Sequence, residues 1–235
     1  MEGRGMSDRW TASVLDHGIV SMDDFMGDDL TIVNAAQASL DRYSKDYGAR
    51  EQAILRTLMR EEHGVPFEHV IMRFKLRLPI FLARQFVKHR MGSWSEHSAR
   101  YSAMEPLFYV PALGDVRQQV GTAMSYTYKP MDTCDDAQRF RLLMQQVNVD
   151  AYAAYEYAIR IGVSKEQARM VLPVNTYTTV VWTLNARSLF NFLRLRADPH
   201  AQHEAQVYAR QMERLAAMVI PDTMEAFIAA GRLKV

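Results

Sequence analysis

The chain has 235 residues, 49% hydrophobic and 23% charged, with 28 basic and 27 acidic side chains for a net charge of +1. That length suits one large domain with a sizeable core, and the balanced charge excludes a global electrostatic preference for nucleic acid or a membrane surface. No apolar run nears the roughly 18 residues of a membrane span, no signal-peptide core stands at the N-terminus, and a single cysteine excludes an internal disulfide framework. The expectation is a cytoplasmic protein with no nucleic-acid or membrane partner, residues 1–13 forming an N-terminal extension and residues 14–235 the domain.

In chain order, Val14 to Ser21 reads as two short strands around Asp16, His17 and Gly18. Helices follow from Asp29 to about Ser39 and from Ala49 to His63, the second with Ile54, Leu55, Leu58 and Met59 on one face. Val70 to Leu78 alternates, Phe74, Leu76 and Leu78 against Arg73, Lys75 and Arg77, as a half-buried strand does. Pro79 opens a helix expected to reach Arg90 and end at Gly92. Ser95 to Phe108 reads as extended, and Gly114 to Asp136 as a loop-rich excursion holding Cys134. Phe140, Leu143, Val147, Ala151, Ala154, Ala158 and Ile161 keep helical spacing, so a long helix lies there.

Ser164 to Gln167 resembles a capping box opening a short helix. Thr176 to Thr183 reads as a buried strand, followed by helices from Ala186, from Asp198–Pro199 and from Pro221. Helices outnumber scattered strands, which predicts an α+β fold, a mixed or antiparallel sheet packed with long helices.

The polar richness of residues 84–101 sets that segment apart: four cations, two histidines, a glutamate, a glutamine and three serines. A core cannot bury so many polar groups without partners for each. Arg84 and Lys88 share one helical face and Gln85 and His89 another, which a solvated basic surface would also explain. In an extended chain Glu96, Ser98 and Arg100 would point one way, offering donors and acceptors together to a nucleotide. A second constellation runs from Asn185 to His200: Arg187, Asn191 and Arg194 form a polar stripe beside Leu189, Phe192 and Leu193, with Arg196 past the helix. It reads equally as a ligand wall or a surface. His200 and His203 lack a third ligand at a recognised metal spacing, so no metal is expected. Cys134, among Asp132, Asp135 and Asp136, is a poor nucleophile candidate.

These residues resemble the flavin-dependent thymidylate synthases. His89-Arg90, seven residues, then Ser98 resembles that family's signature of Arg-His-Arg, seven residues and Ser, and Arg100 and Tyr101 extend the match. Pro66-Phe67-Glu68-His69, Pro79-Ile80-Phe81 with Ala83-Arg84-Gln85, Val171-Leu172-Pro173 before Asn175, Asn185-Ala-Arg-Ser-Leu, and Leu195-Arg196-Ala197-Asp198 through His200-Ala201-Gln202 follow in order. The similarity spans about Val14 to Phe227, with residues 112–137 the least comparable.

The resemblance implies reductive methylation of dUMP to dTMP, with methylenetetrahydrofolate and NADPH as co-substrates and FAD as cofactor, in a homotetramer whose sites form between subunits. Ordinary thymidylate synthases activate the uracil with an attacking cysteine; Cys134 lies outside every matched block, and positive charge over the ring would stabilise its anion instead. Carried over, Arg196 matches the catalytic arginine that promotes ionisation of the uracil. The dUMP-binding positions are Gln85, Phe86, Val87, Lys88, Glu96, His97, Ser98, Ala99, Arg100, Arg169 and Arg196, with Ser98 and Arg100 coming from another subunit. The flavin positions are Lys88, His89, Arg90, Glu96, Asn185, Arg187 and Asn191, with Ser39 and His63 matching less closely. Two residues depart from the pattern: Lys88 stands where the signature has arginine, replacing a planar fork with a point charge, and Val65 where Ser or Thr is common. A flavoprotein acting on another pyrimidine nucleotide and a nucleotide-binding protein without catalysis are the competing readings.

Overall fold

The computed structural model describes residues 8–122 and 125–232, so residues 1–7 of the expected extension lie outside the described residues. A five-stranded sheet organises the fold, in the order β1 (Thr11–Val14), β2 (Gly18–Met26), β3 (Ile71–Pro79), β7 (Tyr177–Asn185), β4 (Ser93–Glu96), every pairing antiparallel. β1 opens at Thr11, ahead of the expected start of the domain at residue 14. The sequence alternation on β3 is realised: Met72, Phe74, Leu76 and Leu78 are fully buried, while Arg73, Lys75 and Arg77 line the opposite face.

Helices cover the apolar face. They are α1 (Asp29–Gln37), α2 (Ala49–Arg60), α6 (Ala186–Arg196), α7 (His203–Ala216) and α8 (Pro221–Ala229). Phe86, Trp182 and Phe192 meet at the centre, with Phe192 edge-on to both rings at 4.9 and 5.0 Å. Each such buried aromatic contributes on the order of 2 kcal/mol by removal from water. Asp29, at the start of α1, reaches across to α8: its carboxylate accepts from the backbone N–H of Asp222 at 3.0 Å and of Thr223 at 3.1 Å. It therefore fills the orphan donors at the N-terminus of a helix near the far end of the chain. Burial pushes the Asp29 carboxyl up, and those hydrogen bonds oppose the shift.

Several expectations are corrected. α3 (Ile80–Phe86) stops four residues short of Arg90. His89 N donates to Phe86 O at 2.9 Å, so the chain tightens into a turn and Lys88 and His89 leave the helical faces assigned to them. Gly92 does not end that helix. Its backbone packs against β7, where a Cβ would lie 2.7 Å from Thr183 O and 2.5 Å from a Leu184 methyl. The excursion from Gly114 is not loop-rich but a hairpin, β5 (Arg117–Thr122) with β6 (Ser125–Pro130).

α4 (Cys134–Arg160) is the expected long helix, yet most of its apolar stripe points outward: Phe140, Leu143, Val147 and Ile161 are about half exposed, Ala158 packs inward beside Tyr155, and Asn148 is buried. α5 (Lys165–Ala168) has no side-chain cap, so the capping box at Ser164 does not form; the Ser164 carbonyl accepts from Gln167 and Ala168 instead. Arg196 is the last residue of α6 rather than beyond it. α7 begins at His203 because the Asp198 carboxylate turns back onto the His200 backbone N–H at 2.8 Å.

Candidate active site

Two disjoint cavities hold half of the candidate residues. The first, of about 410 Å³, is lined by Lys88, His89, Arg90 and Met91 from the turn after α3, by Leu184 of β7, and by Ser188, Asn191, Leu195 and Arg196 of α6. Asn185 creates this wall locally: its side chain caps α6 by accepting from Ser188 N at 2.8 Å, which starts the helix directly at the end of β7. One α6 face then buries Leu189, Phe192 and Leu193 while Asn191 stays exposed. Arg196 Nε donates to His89 Nε2 at 3.2 Å, and the His89 ring stands edge-on to Phe192 at 5.1 Å. Burial first, and the Arg196 charge second, push the His89 imidazole down to about 4. The ring is neutral at pH 7, with its proton on Nδ1, because Nε2 accepts.

Beyond this cavity α6 continues as a polar wall. Arg187 NH1 pairs with Glu68 at 2.6 Å, and the guanidinium lies across Gly64, where a Cβ would come 2.5 Å from Arg187 Nε. His63 is the residue before that glycine and is exposed. Ser39 sits in the exposed single turn Ala38–Leu40, outside the cavity lining.

The second cavity, about 100 Å³, is lined by Ile80, Glu96, His97, Ala99, Met104, Arg169, Leu172 and Thr178. Glu96 ends β4; the expected extended run breaks after it, because Ser98 O accepts from the N–H groups of Tyr101 and Ser102. Glu96, Ser98 and Arg100 therefore do not share one extended face. Arg100 Nε meets Glu166 Oε2 at 3.3 Å, and Arg169 Nε donates to the Glu166 carbonyl at 3.4 Å. One residue of α5 thus holds both arginines. Nothing in the linear pattern marked Glu166, which lies 66 positions from Arg100. The apolar lining of the first cavity by Met91, Leu184 and Leu195 was also missed; exposure of Met91 and Leu195 is its outward sign.

Phe86 is fully buried and offers a ligand only its backbone, and Val87 is exposed in the turn. Gln85 hydrogen-bonds Gln202 across the α3–α7 gap. Of the two histidines weighed as metal ligands, His200 is held by Asp198 at 3.0 Å and His203 lies 3.7 Å from Asp115.

An antiparallel α+β scaffold presenting Lys88, Arg90 and Arg196 around one cavity has the charge and shape that suit an anionic, planar, hydrogen-bonding ligand. Residues 22–222 match the family described as thymidylate synthase complementing protein. The flavin-dependent thymidylate synthase of Thermotoga neapolitana is 40% identical over 215 residues, covering 92% of this chain and 93% of the relative. That of Gluconobacter oxydans is 38% identical over 234 residues, covering 94% of this chain and 77% of the relative. Among solved structures, the UMP/dUMP methylase PolB from Streptomyces cacaoi bound with 5-Br UMP superposes with a TM-score of 0.86 at 37% identity, covering 93% of this chain and 96% of that one. The same protein bound with 5-Br dUMP gives 0.85 at 35% identity, covering 94% and 99%. The chain belongs to the flavin-dependent thymidylate synthase family.

Proposed function

We propose that this protein converts dUMP to dTMP, taking the one-carbon unit from methylenetetrahydrofolate and reducing equivalents from NADPH through FAD. The observation that carries the reading is Arg196 fixed by neutral His89 at the edge of a cationic cavity. A guanidinium held at Nε presents its terminal nitrogens to a uracil carbonyl and stabilises the negative charge that develops as C5 becomes nucleophilic. Cys134, the single cysteine, is exposed at the start of α4 and lines neither cavity.

The donor set fits a flavin nucleotide. Lys88 and Arg90 suit its pyrophosphate, and Asn191, Asn185 and Arg187 offer hydrogen bonds to the isoalloxazine edge. When bound, the flavin supplies the hydride. Lys88, a point charge in place of the planar arginine fork, keeps the attraction and gives up bidentate orientation.

Among the dUMP positions other than Arg196, two sets line cavities: Lys88 the first, and Glu96, His97, Ala99 and Arg169 the second, with Ser98 and Arg100 beside it, while Gln85, Phe86 and Val87 line neither. Joining the sets between chains makes one complete site, and the outward stripe of α4 supplies an apolar surface for assembly into a homotetramer. The test incubates purified protein with dUMP, methylenetetrahydrofolate, NADPH and FAD, and assays dTMP and the folate product. NADPH-dependent dTMP with tetrahydrofolate is expected; dihydrofolate as product, or no dTMP, overturns the reading.

The likeness to PolB, described as a UMP/dUMP methylase, favours a second reading in which UMP is also accepted. The ratio of kcat/KM for dUMP and UMP decides between a strict deoxynucleotide enzyme and one of broader range.

A further inference from the structure

A third cavity, of about 370 Å³, lies on the sheet face opposite the helical core, apart from the flavin-side cavity. Its floor is set by strand register. Arg77 of β3 is flanked by Ile19 of β2 and Thr179 of β7; one step along the same face, Lys75 is flanked by Ser21 and Val181. Met104 and Leu107, from the segment after β4, form an apolar roof, and Glu105 is the one carboxylate in the lining. His97 closes the side nearest the second cavity; its N–H donates to Thr179 O at 2.8 Å and its Nε2 meets Ser102 Oγ at 2.5 Å.

Two features separate this place from an ordinary solvated basic face. Among the described residues, neither Lys75 nor Arg77 has a carboxylate within ion-pair distance; Arg77 spends only Nε, on the His17 carbonyl. Both cations also project into a concave space whose other walls include Thr178 and Thr179, while the Ser21 hydroxyl is already committed to Asp23 Oδ1 at 3.1 Å. Two cations, hydroxyl donors and a small apolar roof together match a phosphate monoester carried on a compact body.

We propose that this cavity is a second anion site, which binds the phosphate of a small molecule directly behind the Glu96–Arg100 segment. His97, Met104 and Thr178 line both this cavity and the second one, so occupancy is felt at the nucleotide-binding segment through a shared wall. The phosphate belongs either to the reductant, an assignment that rests on the function proposed above, or to an independent phosphorylated metabolite.

The probe is pyrophosphate, titrated calorimetrically into full-length flavin-loaded protein with dUMP present to fill the nucleotide site. Binding of dUMP is read separately, so failure of the proposed function is seen on its own. One pyrophosphate per chain is expected. Lys75→Gln should weaken it roughly tenfold, the loss of one charge-assisted hydrogen bond. Lys75→Arg should restore it, and thermal midpoint, flavin content and dUMP affinity should hold; Arg77→Gln serves as the second variant if Lys75→Gln fails to fold.

Bleaching of the flavin by NADPH and NADH then identifies the source. A KM raised by Lys75→Gln for NADPH alone places the reductant's 2′-phosphate here, and no change for either assigns the site to an independent phosphate. Absence of pyrophosphate binding, undiminished binding in both glutamine variants, or an equal rise in KM for NADH and NADPH overturns the proposal.

Discussion

Arg196 Nε donates to His89 Nε2 across 3.2 Å, so two basic residues meet through a hydrogen bond that only a neutral imidazole can accept. Because burial outweighs the neighbouring charge in lowering the His89 pKa to about 4, removing the charge should leave part of the shift. In Arg196→Met the imidazole, followed by NMR, is expected to titrate above 4 yet below the ordinary 6.5. The folded protein binds this proton less readily than the unfolded chain does. The contribution of His89 to stability is therefore complete above pH 6.5 and lost as pH falls toward 4, by less than about 3 kcal/mol because solvent reaches and screens the half-buried ring. Denaturation midpoints at pH 7 and 5, compared with His89→Gln, read that loss.

His89→Leu removes the acceptor and frees the guanidinium to rotate. Turnover should fall on the order of 10- to 100-fold with flavin retained, and His89→Gln, which keeps an acceptor, should recover part of it. Equal loss in both variants would mean that the ring packs against Phe192 and does nothing to aim Arg196.

Arg196→Ala tests the other partner. The residues proposed to face the flavin, Arg90, Asn191 and Arg187, are untouched, so absorbance at the flavin band should persist while dTMP formation drops on the order of 100-fold or more. Loss of the flavin together with activity would reassign Arg196 to cofactor binding.

Glu166 holds Arg100 by its carboxylate and Arg169 by its carbonyl. Glu166→Gln removes only the first tie, through an exposed ion pair worth little to stability. Steady-state kinetics should show KM for dUMP raised several-fold, kcat nearly unchanged and the thermal midpoint within a degree or two.

Leu143 (66% exposed) and Val147 (55%) stand on the outward stripe of α4. Lysine at both positions should leave the circular dichroism of the chain intact, shift its sedimentation to smaller species, and abolish dTMP formation by separating the two halves of the site. Intact assembly in the double variant would move the interface elsewhere.

The periodic parts of this fold were legible in the chain. Phe74, Leu76 and Leu78 alternate because one face of β3 is dry, and the helix expected from Ala186 does start there, capped by the Asn185 side chain. Where tertiary contacts overrule local preference, the reading failed. The stretch from Val87 to Arg90 continues a helical pattern, but the Gly92 backbone must press onto β7, and the turn that permits this ends α3 early. The stripe on α4 carried a true period and no indication of which surface it would cover. Glu166 was invisible because its partner lies in another element, and pairing across 66 positions leaves no trace in spacing.

The carboxylate of Asp29 finds its donors at Asp222 and Thr223, with 193 positions separating the first pair. On a chain made from its N-terminus, α1 emerges long before those donors exist. Phe190 likewise waits for Phe227, whose ring stacks on it at 4.6 Å. The core therefore closes only after Phe227 has been made, and a product released before Pro221 would leave Asp29 without its donors. A chain cut there would bury a carboxylate unpaired, and the lost hydrogen bonds would lower its stability.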